Sequence, residues 1–360
     1  MRWAWKLGTL AGIEIRLHAT FFLLLLWIGG LTYSKGHHAA AAMVAMAFIL
    51  AVFATVVLHE MGHALTARRF GVRTLGITLL PIGGVAQLDR IPDKPREELL
   101  VALAGPAVNL VLALALFGLL ALHRAPLDFR DPIPSLPAFL GRLALVNVGL
   151  AIFNLLPAFP MDGGRALRAI LSTSMDRVRA TRIAAHLGQA MALLFAVAGL
   201  YGNPFLVFIG LFVWISAAEE ANATRLQALL VGVPVREAMV TTFYTLAPEE
   251  SLGHARDLLF HSFQRNFPVG REGQCQGLLT HQGLLNALAH HEEGSAVASA
   301  MEASFGATTP VEPLATALAR LPEAPGRMLV VLEGPQVVGL LTAENIGEMF
   351  LARDLAAGRS

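Results

Sequence analysis

The chain has 360 residues, of which 55% are hydrophobic and 15% charged, with a formal net charge of +1 and a mean hydropathy of +0.59. It is too apolar for an ordinary soluble protein and too balanced in charge to argue for nucleic acid, so it calls for several membrane spans and two or three domains. A single cysteine, Cys275, excludes an internal disulfide framework and a cysteine-rich zinc site.

Residues 1–16 read as a short amphipathic lead carrying Arg2, Lys6, Glu14 and Arg16. Residues 19–33 form a first membrane helix. Basic residues ahead of an apolar core also suit a signal peptide, but Ser34-Lys-Gly-His-His38 is a poor small-residue cleavage site. The second span, residues 39–66, contains Leu58-His59-Glu60-Met61-Gly62-His63. Helical spacing puts His59 and His63 one turn apart on one face, where they can share a metal, with Glu60 beside them as a candidate general base toward water. Two histidines and a carboxylate at membrane depth are costly to bury, and by default they mark function.

Residues 68–98 are not a span. Short β-prone runs flank Pro81-Ile-Gly-Gly-Val85, which predicts either a re-entrant hairpin near the site or an ordinary surface hairpin. A third span, 99–122, opens with Ala104-Gly-Pro-Ala-Val-Asn109; Pro106 implies a kink and Asn109 an interhelical hydrogen bond. A loop with Pro126, Pro132, Pro134 and Pro137 follows. The fourth span, 139–159, runs into Asn154-Leu-Leu-Pro-Ala-Phe-Pro-Met-Asp-Gly-Gly164. Residues 165–182 are strongly basic, and 183–200 and 205–218 read as the fifth and sixth spans. In this six-span arrangement the basic segments fall on one side, so both termini are expected in the cytoplasm.

A zinc hydrolase site takes three protein ligands and keeps one position open. Asp162 is the best third ligand: counted from the outer ends of the second and fourth spans at about 1.5 Å per residue, His59 and Asp162 both lie about 30 Å down. The competing reading of Asp162 is a turn aspartate in Asp-Gly. Asn154 either hydrogen-bonds substrate and its oxyanion or joins helices. His18, at the start of the first span, reads as interfacial, and His37, His38, His123, His186, His254, His261, His281, His290 and His291 as surface or interfacial residues.

From about Val231 the sequence turns mixed and soluble in character, and an internal repeat begins. Val235-Arg-Glu-Ala-Met239 matches Val297-Ala-Ser-Ala-Met301, and Gly277-Leu-Leu-Thr280 matches Gly339-Leu-Leu-Thr342, at one common offset. Each unit reads as a helix, a strand, a turn, a second strand and a closing helix.

The combination of His59-Glu60-x-x-His63, Asn154-x-x-Pro157 with Met161-Asp162-Gly163, and Ala104-Gly105-Pro106-x-x-Asn109 resembles the site-2 protease family of intramembrane zinc metalloproteases, over about residues 10–222. The resemblance implies one zinc ion held by His59, His63 and Asp162, with Glu60 catalytic and Gly83-Gly84 in a substrate-binding loop. It also implies a membrane-anchored, single-span substrate of the anti-sigma factor, precursor sigma factor or signal-peptide remnant type. The repeat resembles a pair of cystathionine-β-synthase (CBS) domains, which implies an adenine nucleotide between the copies, contacted by Thr280, Thr342 and Asn345, or a structural, homodimer-forming pair. The expected fold is a multi-span α-helical membrane domain of about six transmembrane helices followed by an α/β tandem CBS pair. The expected domains are 1–222 for the protease, 223–234 for a linker, and 235–292 and 297–356 for the CBS copies. The rival reading is a transporter or channel with a CBS regulator, in which the same buried groups line an ion pathway.

Overall fold

The computed structural model describes residues 3–34, 38–81, 83–89, 92, 94–124, 135–290 and 293–356. His37, Ile82, His291 and the proline-rich connection around Pro126, Pro132 and Pro134 lie outside the described residues. The chain divides into two compact units, residues 1–224 and 225–360.

The first unit opens with β1 (Ala4–Leu10) and β2 (Ile13–His18), an antiparallel hairpin where an amphipathic lead was expected. Its loop, Ala11-Gly12, has φ of 51° and 82°, the positive pair that a type I′ turn requires. Lys6 across the hairpin and Arg16 two residues along the same strand hold the Glu14 carboxyl down at about 2. There follow α1 (Thr20–Ser34), α2 (Ala39–Arg69), β3 (Thr74–Leu80), β4 (Gly83–Leu88), α3 (Pro95–Leu122), α4 (Leu136–Asn154), α5 (Asp162–Leu171), α6 (Arg177–Tyr201) and α7 (Phe205–Leu230). The strands make one sheet in the order β1-β2-β3-β4, with β2 and β3 parallel through Ile15–Ile77 and β4 at an edge.

Among the described residues α2, α3, α4, α6 and α7 are long and apolar enough to cross a membrane. The first predicted span, α1, has 15 residues; at about 1.5 Å per residue that is about 22 Å, shorter than a hydrocarbon core of about 30 Å. The burial pattern suits lipid. Alanine and glycine fill the interhelical seams, as at Ala64, Ala102, Ala144 and Ala184, while Leu114, Leu194 and Phe208 face outward. Close approach needs small residues: a Cβ on Gly62 of α2 would lie 2.8 Å from the Ala104 carbonyl oxygen of α3.

Local chemistry sets the helix ends. Pro95 starts α3, with Glu97 and Glu98 in its first turn. Ser135 caps α4 by accepting from the Ala138 amide, and Asp176 caps α6 by accepting from Arg179. The predicted fourth span is shorter than expected: Pro157 disfavours helix at the residue before it, α4 stops at Asn154, and the chain turns before Asp162 opens a separate helix. Asp162 is thus not on a span. Asn109, expected to hydrogen-bond across helices, is 1% exposed, and neither of its amide atoms has a partner among the described residues.

The second unit contains α8 (Leu252–His261), β5 (Phe267–Arg271), β6 (Gln274–Leu279), α9 (His281–His290), β7 (Gly306–Thr308), α10 (Leu314–Arg320), β8 (Met328–Glu333), β9 (Gln336–Thr342) and α11 (Ala343–Ala356). Its sheet runs β5-β6-β9-β8-β7, so the hairpins of the two repeats meet edge to edge. The repeats also exchange their leading segments. Val233, Val235 and Ala238 pack in a core with Leu314, Leu341 and Ile346, whereas Val297 packs with Leu252, Phe267 and Leu284. The bridges Val240–Leu340 and Leu278–Glu302 are the same pairing with the copies reversed. The linear boundaries 235–292 and 297–356 are therefore crossed in space, and α7 runs on through part of the expected linker to Leu230.

Candidate active site

The site is built where α2, α3 and the start of α5 meet. His59 and His63, four residues apart on α2, turn the same way, so that their Nε2 atoms lie 3.0 Å apart. Asp162 Oδ2 is 3.1 Å from each of them. All three side chains are buried or nearly so. The Val101 carbonyl of α3 can only accept, so the 2.7 Å contact from His63 Nδ1 requires the proton to be on Nδ1. That leaves the Nε2 lone pair of a neutral His63 free to point at the shared centre, the arrangement a metal-ligating histidine needs.

Three atoms that each bring a lone pair, about 3 Å apart, repel one another unless a cation or shared proton lies among them. Ligands held at about 2.0–2.2 Å from zinc at tetrahedral angles would be about 3.3 Å apart, close to the observed triangle. Gly105 of α3 keeps this space open: a Cβ there would fall 2.2 Å from His63 Nε2 and 2.6 Å from His59 Nε2. The residues present fit a zinc ion, and no other group of three or more such ligands occurs among the described residues.

Glu60 lies on the adjoining face of α2, against β4. A Cβ on Gly84 would come within 2.8 Å of Glu60 Cγ, so the expected Gly83-Gly84 loop is a strand edge in direct contact with the expected base. Asn154 ends α4, and its side chain has no hydrogen-bond partner among the described residues. His18 accepts from the Thr20 amide at 3.3 Å and helps to start α1.

Thr280, Thr342 and Asn345 are brought together in the second unit, lining one cavity of about 1220 Å³ between the two repeats. Asn345 Oδ1 accepts from the Thr342 hydroxyl at 2.7 Å. Thr280 donates to Glu302 at 3.3 Å, which places a carboxylate beside Thr280 in the first copy. Sequence reasoning missed Glu302, although the repeat alignment sets it opposite the apolar Val240. It also passed over Gly105, having read that motif for its proline and asparagine.

The sequence matches the profile of Peptidase family M50 over residues 47–127 and 133–197, and that of the CBS domain over residues 235–290. It is 34% identical over 296 residues to Zinc metalloprotease MJ0392 of Methanocaldococcus jannaschii, with 82% of each chain covered. Rip3 of Mycobacterium tuberculosis is 32% identical over 378 aligned positions, covering 97% of this chain and 93% of that one. The solved Site-2 Protease from Methanocaldococcus jannaschii is 37% identical, covers 61% of this chain and 95% of its own, and superposes with a TM-score of 0.45.

Proposed function

The chain belongs to peptidase family M50, the zinc metalloproteases of the site-2 type, and from that premise we propose that it cuts a peptide bond within or beside a transmembrane segment of a membrane-anchored protein. The observation that carries this reading is the convergence of Asp162 on His59 and His63, which stand with Glu60 on a helix long enough to cross a bilayer. His59, His63 and Asp162 would hold the zinc, which when bound would supply polarisation of the scissile carbonyl and a more acidic attacking water. Glu60 takes the proton from that water and delivers it to the departing amine. The free edge of β4 receives the substrate as an added extended strand, because a helical substrate amide is hydrogen-bonded and shielded until it unwinds. Asn154, unpartnered at the end of α4, hydrogen-bonds the extended substrate. Membrane proteomics comparing wild type with Glu60→Gln tests the reading. Single-span precursors of the anti-sigma, precursor-sigma or signal-remnant type should accumulate in the variant, and identical proteomes would sink it.

The protein is a multi-pass membrane protein. We assign the CBS pair to the cytoplasm and, with α1 as a short sixth crossing, the N-terminus as well, which is supported by Arg68 and Arg69 ending α2, Arg96 opening α3, and Arg177 and Arg179 opening α6, all on one side of an alternating path. In a Cys275→Ser background, an impermeant maleimide should label Ser34→Cys in intact cells and spare Arg69→Cys; the reverse pattern inverts the assignment. Functionally we divide the chain into the protease at 1–222, a joining segment at 223–234, and CBS copies at 235–292 and 297–356.

The cavity between the repeats binds an adenine nucleotide and through it regulates cleavage. Glu302 and Thr342 are suited to ribose hydroxyls, and Arg265 and Arg327 on the cavity wall to phosphate. Calorimetric titration of the full chain with AMP should show saturable binding that Glu302→Ala weakens about 10-fold or more, as expected for a lost charged hydrogen bond. Absence of heat at millimolar AMP refutes nucleotide control.

A further inference from the structure

Among the three ligand residues, Asp162 alone stands off the membrane spans, in the first turn of α5. Whatever fixes α5 therefore fixes Asp162. Arg168, further along α5, is 0% exposed and is the largest fully buried side chain among the described residues. Its Nε donates to Glu98 of α3 at 2.7 Å and a terminal nitrogen donates to Glu220 of α7 at 2.5 Å. Its guanidinium also lies over the Phe159 ring, 5.1 Å from the centroid, in the segment leading to Asp162. Glu98 in turn pairs with Arg177 of α6 at 3.2 Å. One side chain thus ties α5 to α3 and α7, and through Glu98 to α6.

A buried arginine is costly to desolvate, and apolar residues in place of the whole ion-paired cluster are often as stable or more so. Directional, two-armed bonding is what the apolar residue lacks: a planar fork met by carboxylates on two different helices fixes both rotation and height. The anchoring stretch of α3 is also the one that serves the histidines. Glu98 lies one turn before Val101, whose carbonyl holds His63 Nδ1, and Gly105 lies one turn beyond. The same few turns of α3 frame all three ligands.

We propose that Arg168 is a positioning residue that sets the rotation and height of α5, holding the Asp162 carboxylate against His59 and His63, with Glu98 and Glu220 as its anchors. The inference rests on the reading of Asp162 as a zinc ligand. It is tested on the full chain in detergent by titrating the metal-free protein with zinc and, separately, by following its thermal unfolding without metal. Arg168→Lys keeps the charge but loses the fork, and Arg168→Met keeps the bulk but loses both. Each should raise the zinc dissociation constant about 10- to 100-fold, the usual cost of losing support around a metal site, and should lower kcat with little change in KM. Glu220→Gln removes one arm at a partly exposed carboxylate and should give a smaller rise. Should the Arg168 variants fail to fold, Glu220→Gln decides the matter. A purely structural role would lower the metal-free melting temperature and leave the zinc constant within twofold of wild type, and that result overturns the proposal. Asp162→Ala separates the two readings. If it binds zinc like wild type, the ligand assignment fails, and the proposal with it; if it loses zinc while the Arg168 variants keep it, only the positioning role fails.

Discussion

Glu60→Gln should lower cleavage about 10²- to 10⁴-fold, the range a positioned general base contributes, while the protein keeps its zinc. The amide is nearly isosteric with the carboxylate, so the Gly84 contact at Glu60 Cγ is preserved and β4 need not move. None of the three ligand-type atoms belongs to Glu60, and the His63–Val101 bond that orients one ring is untouched. What the variant loses is an acceptor for the proton of the attacking water: a neutral amide cannot take it up and pass it to the leaving amine. The expected signature is therefore a split, with zinc stoichiometry and thermal stability at wild-type values and turnover near background. A variant that lost zinc in parallel with activity would make Glu60 a structural residue, and one that kept its activity would favour the transporter reading. The stalled enzyme also reports on docking. A photoreactive group at the exposed Val85, on the free edge of β4, should capture the single-span protein that accumulates, and capture only from positions remote from β4 would move the substrate elsewhere.

The chemistry of this site was legible in the sequence because zinc dictates residue types. His59, Glu60 and His63 at helical spacing, with an aspartate at matching depth, are readable without any knowledge of packing. The long apolar runs were legible for a similar reason, since lipid demands them. What escaped was set by contacts between segments far apart in the chain. The parallel pairing of Ile15 with Ile77 turns a lead segment into part of a sheet, and no local pattern marks it. Pro157 and Pro160 were visible, yet the depth count carried a helix through them; Asp162 reaches the site because a second helix begins there. Arg168 sat in a segment read only as basic, and its carboxylates come from α3 and α7. The exchange of leading segments between the CBS copies follows from which core Val235 and Val297 fill, and a repeat alignment carries no information about that.

Gly105→Ala should remove zinc binding from a chain that still folds. The added methyl would lie 2.2 Å from His63 Nε2 and 2.6 Å from both His63 Cε1 and His59 Nε2, far inside van der Waals contact. The helices cannot spread cheaply to make room, because α2 and α3 already meet through Gly62 and the Ala104 carbonyl, and parting them would open that seam along its length. The rings must therefore turn. For His63, turning breaks the bond from Nδ1 to the Val101 carbonyl, which fixes both its tautomer and its aim. Zinc affinity should fall by about 100-fold or more, the upper range for disturbing a metal site without deleting a ligand. The metal-free protein, by contrast, should gain from alanine in a helix interior, by up to about 1 kcal/mol before the local clash is subtracted. This opposition separates a site defect from general destabilisation. Gly118→Ala, in the same helix with nothing within 4 Å of its added Cβ, should show the helix-propensity gain and keep its zinc. If Gly105→Ala bound zinc as wild type does, the two rings could not be pressed against α3 as described, and the assignment of this glycine as the floor of the metal site would fall.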